Sequence, residues 1–272
     1  MKLIGLVYPN WGGLFLRILV TGSTGRLGSA VLNQLKEREC SVLMTSRRKP
    51  EYGDRFDWVY SDMLSGEGLE EAARDIDVVI HTATSPMKKT KEIEVSGLTN
   101  FLSKLTHIKH FIYPSIVGIE DIPYNYYKHK HEAEEVLKHS NIPYTIVRAT
   151  QFHSFVDSLF LSKPFLKGYF IPGNIKFQTV DVGEFANHLI DLTEKGPQGR
   201  TGDFAGPKVM TLREMANLKI GMSNKPSRVY NVALPGKLYK SLLEGKNTNP
   251  TQNVGSVTFE DFLRKNMTGK YE

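Results

Sequence analysis

Short apolar runs alternate along the chain with stretches whose apolar residues recur at helical spacing. Arg17 to Thr21 is a β-rich run that ends in Gly22-Ser23-Thr24-Gly25, and from Arg26 to Glu37 the residues Leu27, Ala30, Val31, Leu32 and Leu35 recur with a helical period. The alternation continues with strands predicted at Ser41 to Ser46, Trp58 to Tyr60, Val78 to His81, Phe111 to Tyr113 and Tyr144 to Arg148. Helices are predicted between them at Leu69 to Arg74, Ile93 to Leu105 and Tyr126 to His139. Strands separated by helices imply a parallel sheet covered on both faces, an α/β fold. After residue 150 the pattern loosens. Gly168, Pro172, Gly173 and Asn174 mark a loop, Phe177 to Val182 reads as a strand and Glu184 to Thr193 as a helix, and further helices start near Thr211, Pro235 and Thr258. Residues 17–150 therefore read as a core. Residues 151–272 read as its remaining elements plus a small α/β cap that is not an independent domain.

Composition narrows the class. With 272 residues, 40% of them apolar, the chain is of ordinary globular make-up. Its one cysteine, Cys40, excludes an intramolecular disulfide framework and a cysteine-rich zinc site, and fits a reducing, cytoplasmic setting. No uninterrupted apolar run is long enough to span a membrane. The apolar opening, MKLIGLVYPNWGGLFL, lacks a cleavage site of the secretory type and is broken by Pro9, Asn10 and Trp11. Residues 1–16 read as an extension ahead of the first strand. A misplaced start accounts for it: Leu16 can be read from a TTG codon and Trp11-Gly12-Gly13 can encode a ribosome-binding site, so the natural chain is expected to begin at position 16. The net charge of +6 raises a nucleic-acid reading, but a dinucleotide also recruits cations.

The glycines Gly22, Gly25 and Gly28 form G-x-x-G-x-x-G between the first strand and the first helix. The first allows the tight turn, the second a close approach of backbone to pyrophosphate, and the third close helix–strand packing. The helix N-terminus supplies N–H groups and a positive dipole end to the phosphates. A Rossmann-type, doubly wound parallel sheet with a small C-terminal α/β cap follows. Ser23, Thr24, Arg26 and Leu27, inside the loop, join the glycines as cofactor-binding candidates. The second strand ends in Thr45-Ser46-Arg47-Arg48, with no carboxylate for a ribose 2′-hydroxyl. A guanidinium suits a 2′-phosphate, so Ser46, Arg47 and Arg48, helped by Arg26, favour NADP over NAD.

Tyr126 and Lys130 form Y-x-x-x-K, which on a helix puts both on one face, where an ammonium would lower the phenol's pKa towards a working acid–base range. Ser115 follows the strand Phe111 to Tyr113 and could orient a substrate carbonyl. Tyr127 is a rival to Tyr126. His129 and His131 point to different sides of the helix, so no metal site is expected. His81 reads as a hydrogen-bonded core residue. His153 reads either as a pocket wall or as packing, and Phe152, Phe155, Phe160, Phe165, Tyr169 and Phe170 either as an apolar lid or as the cap's own hydrophobic face.

The segments TGSTGRLG, SDMLSGEGL, HTATS, YYKHKHEAEEVLKHSNIPYTIVRATQF and FQTVDV together resemble the atypical short-chain dehydrogenase/reductases, in particular their NmrA-like NAD(P)H-binding group, over residues 17–265. The resemblance implies that Asp62, with Met63 beside it, approaches the adenine. It implies too that Thr82, Ala83 and Thr84 lie along the cofactor, that Lys130 holds the nicotinamide ribose, and that Ser115, Tyr126 and Lys130 are the catalytic triplet. Gln151, Phe152 and His153 would begin the substrate pocket. Pro114 departs from the group, where a second serine is common. The group holds both enzymes and sensors. Hydride transfer with a small carbonyl or quinone substrate is therefore expected. A non-catalytic NADP(H) sensor that binds a partner protein, or a nucleotide-sugar epimerase or dehydratase, stand as alternatives. A homodimer fits any of these readings; nucleic acid and membrane are not expected partners.

Overall fold

The apolar runs assemble into one parallel sheet with helices on both faces. The computed structural model describes residues 16–38, 40–50, 55–223 and 227–267; the extension read over residues 1–15 lies outside them. In chain order the core runs β1 (Arg17–Thr21), α1 (Arg26–Leu35), β2 (Ser41–Ser46), β3 (Asp57–Tyr60), α2 (Leu69–Ala72) and β4 (Val78–His81). A π-helical stretch, Glu92–Gly97, then leads into α3 (Leu98–Leu102), followed by β5 (His110–Ile116), α4 (Asn125–Lys138) and β6 (Tyr144–Ala149). Beyond it come α5 (His153–Phe160), β7 (Gly168–Ile171), β8 (Lys176–Phe177), α6 (Val182–Lys195), β9 (Gly199–Arg200), β10 (Met210–Thr211), α7 (Leu212–Met222), β11 (Arg228–Asn231), α8 (Lys237–Glu244) and α9 (Phe259–Met267).

The sheet order is β3-β2-β1-β4-β5-β6-β9, and each neighbouring pair is parallel. Strand order reverses between β1 and β4, the crevice where doubly wound sheets take their ligands. Ile18, Val20 and Ile80 face Val31, Leu32 and Leu35 of α1 and Phe185 and Leu189 of α6. Leu19, Val79, Phe111 and Tyr113 face Phe101 of α3 and Ala133 and Leu137 of α4. Strands buried on both faces explain why these runs are continuously apolar rather than alternating.

Several sequence expectations change, among them the loop marked from Gly168, where Gly168–Ile171 forms β7, and the helix read over Ile93 to Leu105, which is a π-helical stretch followed by the short α3. The strand expected at Phe111 to Tyr113 continues through Pro114 to Ile116. The register with β4 ends at Ile112, so on that edge the missing N–H of Pro114 breaks no ladder. The strand expected at Phe177 to Val182 is only Lys176–Phe177, because Asp181 accepts the N–H groups of Gly183 (2.8 Å) and Glu184 (3.0 Å) and starts α6. A helix, α5, forms where the sequence read no regular element.

α6 and β9 complete the core layers, while the other late elements surround a separate apolar cluster that includes Val156, Tyr169, Phe177, Leu212, Met215, Phe259 and Leu263. In that cap β7 pairs with β11 and β8 with β10. The segment after α8 is tied down by the buried Gln178 and the half-buried Glu184. Gln178 bonds Gly206 O and Asn253 Oδ1 and accepts from Asn249 N, and Glu184 accepts from Ser256 N and Val257 N. Among the described residues no helix is long and apolar enough to cross a membrane.

Candidate active site

The glycine loop is built by close backbone approach. Gly22 has φ +64°, and a Cβ there would meet Ala83 Cα and N at 2.6 Å. A Cβ on Gly28 would meet Gly22 O at 2.4 Å and Thr82 Oγ1 at 2.7 Å. The Thr82 hydroxyl donates to Thr21 O at 2.6 Å, which ties the end of β4 to the end of β1. α1 begins at this loop with Gly25 as its N-cap, no side chain capping it and no acidic residue in its first turn. An uncapped, electropositive helix end behind a glycine turn fits a pyrophosphate.

At the end of β2, Ser46 is buried. Its hydroxyl donates to Arg48 O (2.5 Å) and accepts from Trp58 Nε1 (3.0 Å), fixing the turn. Arg47 and Arg48 beyond it are exposed, as are Thr24 and Arg26; Leu27 is half-buried. No ion pair joins Arg26, Arg47 or Arg48 to another described residue. Asp62 accepts from Leu64 N at 2.8 Å and shapes a turn, and Met63 packs against Gly97 of the π-helical stretch.

The helix spacing puts Tyr126 and Lys130 on one face of α4, and a third residue, Glu94, links them. Glu94, 2% exposed, accepts from Thr84 Oγ1 (2.5 Å) and Ser85 N (2.9 Å) through Oε1, while Oε2 lies 3.5 Å from Lys130 Nζ. The Lys130 ammonium also donates to Pro114 O (3.0 Å) and sits 3.9 Å over the Tyr113 ring. The Thr84 oxygen is 2.7 Å from the Tyr126 hydroxyl. Thr84 gives its hydrogen to a carboxylate, so it accepts from Tyr126, whose O–H is therefore held by Thr84. The expectation of a lowered phenol pKa is corrected: burial and the Glu94 charge push Tyr126 well above its ordinary value. Burial also lowers the Lys130 pKa, opposed by Glu94 and Glu134. Ser115 is 5% exposed and its hydroxyl has no partner among the described residues.

His81 is a core residue, as read. Thr21 Oγ1 accepts from Ala83 N (3.3 Å) and shares a hydrogen bond of 3.1 Å with His81 Nδ1. Burial and the Lys130 charge bring His81 down to about 3. His153 is 1% exposed, with Nδ1 on Thr179 Oγ1 (2.7 Å), Nε2 on Val257 O (3.0 Å) and its ring against Phe259 and Phe262. That corrects the pocket-wall expectation to packing. Phe152 packs on Phe185 of α6. Gln151, half-buried at the end of β6, donates to Tyr127 Oη at 3.1 Å. Phe165 and Phe170 are exposed, with Phe170 stacked on Tyr230 at 4.8 Å, whereas Tyr169 is buried in the cap.

Sequence reasoning missed Glu94 and the network beside it. Arg148 makes two bonds to fully buried Glu134 (2.9 and 2.7 Å) and two to Glu120 (2.7 and 2.6 Å). Burial works against the Arg148 charge, but the two carboxylates outweigh it and raise its pKa.

Residues 22–156 match the model of the NAD(P)H-binding family. A photosystem II assembly factor of Trieres chinensis is 24% identical over 234 residues, 80% of this chain and 72% of that protein. The NADPH-dependent quinone oxidoreductase of Escherichia coli, solved with NADPH, superposes with a TM-score of 0.79 at 16% identity, covering 92% of this chain and 99% of that one. A nucleoside-diphosphate-sugar epimerase of Staphylococcus aureus superposes with a TM-score of 0.75 at 17% identity, covering 92% and 100%. At such identities these likenesses speak for the fold, which an oxidoreductase and an epimerase share. Through its glycine cradle, its sheet order and this match, residues 22–156 are identified as an NAD(P)H-binding-family domain on a Rossmann-type α/β fold.

Proposed function

We propose that the protein is an NADP(H)-dependent oxidoreductase acting on a small carbonyl or quinone. The observation that carries this reading is the alignment of two features along the carboxyl edge of the sheet: the glycine cradle with exposed guanidinium groups, and Tyr126 and Lys130 on one face of α4, with Lys130 bonded to Pro114 O next to Ser115 in the chain. Gly22, Gly25 and Gly28 would hold the pyrophosphate, Arg47 and Arg48 the 2′-phosphate, and Thr82, Ala83 and Thr84 would run beside the cofactor. When bound, NADP(H) supplies or takes the hydride. Ser115 would orient the substrate oxygen and Tyr126 would give it a proton. Lys130, held by Glu94 and Pro114 O one turn along α4, supplies positive charge beneath the phenol as it loses that proton.

One observation favours a second reading. The Tyr126 hydroxyl is already engaged by Thr84, an arrangement suited to a protein that binds NADP(H) without turning it over. Loss of NADPH absorbance with a panel of quinones and aromatic aldehydes separates the two. The oxidoreductase reading expects saturable consumption that falls at least about a hundredfold in Tyr126→Phe, the scale of general acid catalysis. Tight NADPH binding with no consumption across the panel establishes the sensor instead.

A further inference from the structure

Two adjacent tyrosines open α4, and their hydroxyl groups carry opposite polarity. Tyr126 donates to Thr84, which donates to Glu94. Tyr127 is governed by a different chain, which starts at a backbone carbonyl. Asn247 is fully buried in the turn that follows α8, and its amide lies 2.8 Å from Lys176 O. A carbonyl oxygen only accepts, so the Asn247 atom facing it is Nδ2. The same Nδ2 lies 3.1 Å from Gln151, so the Gln151 atom facing Asn247 is Oε1. The other end of the Gln151 amide, Nε2, then faces Tyr127 at 3.1 Å and donates to its oxygen. The Tyr127 oxygen is thus an acceptor within the protein, and its own hydrogen has no acceptor among the described residues. Burial pushes this phenol up to about 12, so it keeps that hydrogen at neutral pH.

Tyr127 is half-buried and lies beside Tyr126, with ring centroids 6.2 Å apart. Gln151 follows β6 and Thr84 follows β4, so both phenols stand over the carboxyl edge of the sheet, where such folds take ligands. We infer that Tyr127 is a substrate-anchoring hydrogen-bond donor, its outward polarity set by Asn247 and Gln151, and that the site selects molecules presenting an acceptor oxygen, such as a carbonyl or quinone. The substrate class rests on the oxidoreductase reading; the polarity of the phenol does not. Gln151 and Asn247 are positioning residues. They aim Tyr127 and need not touch the substrate.

The test uses two readouts and no turnover. The Raman tyrosine doublet distinguishes a phenol that accepts from one that donates, and a difference spectrum against Tyr127→Phe isolates this residue in the cofactor-free protein. Wild type is expected to show an accepting phenol. Gln151→Glu puts a carboxylate where the amide donated, so the doublet should switch to a donating phenol. Gln151→Leu, which keeps the hydrogen free, should show neither bond. A donating Tyr127 in wild type, or no switch in Gln151→Glu, overturns the polarity. The second readout is binding of menadione, a naphthoquinone, to the protein saturated with oxidised NADP, which cannot reduce it. Gln151→Glu and Tyr127→Phe should each weaken binding by about tenfold, and Gln151→Leu by less. Absent binding, or equal binding by all four proteins, overturns the acceptor-oxygen assignment. Menadione that binds in this order but is never reduced by NADPH leaves the inference standing and removes the oxidoreductase reading.

Discussion

Individual residues at the centre of this site are constrained by burial more than by motif. Lys130 is 4% exposed, and Glu94 is its nearest carboxylate. Lys130→Met removes the cation and leaves Glu94 buried without it, a loss expected to cost about 3 kcal/mol or more. Glu94→Gln combined with Lys130→Met should be less destabilising than the two single losses added together; strict additivity of denaturant-unfolding free energies would mean the pair is not coupled. Gly22→Ala faces both a positive φ and a Cβ 2.6 Å from Ala83, so it should lower stability by about 1–3 kcal/mol and abolish calorimetric NADPH binding. Y-x-x-x-K and the glycines were legible in the chain because each has a fixed local spacing. Glu94 was not, because it lies beside Lys91, Glu92 and Ser96, and nothing in that local spacing singles out one buried carboxylate. Only the pairing of β4 with β5 and the packing of α4 bring Thr84, Glu94 and Lys130 together.

Among the elements, α4 and its neighbours carry the largest concentration of buried charge. Arg148 of β6 satisfies Glu134 of α4, which is 0% exposed, and Glu120 in the turn after β5. Arg148→Met should therefore cost about 3–5 kcal/mol in denaturant unfolding while leaving the NADPH affinity of the folded fraction unchanged. An equal loss of cofactor affinity would show that the network positions the site as well. The core strands and α1 were readable because long buried runs and helical periodicity are strong signals. The late strands were less so: β8, β9 and β10 have two residues each, too short for any period, and their positions depend on contacts with distant segments. Asp181 shows the limit differently. It ends one expected strand and starts α6, a capping role set by two backbone N–H groups.

The whole molecule carries a pH dependence through its buried histidines. Burial, with Lys130, brings His81 to about 3, and burial brings His110 to about 4, against 6.5 when exposed. Both stay neutral in the fold while the unfolded chain takes up protons below about pH 6.5, so stability is full above that value and falls as pH drops towards 4. The expected slope approaches 1.4 kcal/mol per pH unit for each histidine. Unfolding midpoints measured between about pH 7 and pH 5 check this, and a flat profile contradicts it. Part of the positive charge of the molecule lies beside the glycine cradle, where Arg26, Arg47 and Arg48 are exposed. The central claim, an NADP(H) site on that edge of the sheet, is tested most directly by calorimetric titration of wild type and the double variant Arg47→Ala/Arg48→Ala with NADPH and with NADH. The account predicts NADPH binding to wild type at least about tenfold tighter than NADH, with that preference lost in the variant and NADH affinity little changed. No binding of either nucleotide, or equal loss of both in the variant, would contradict it.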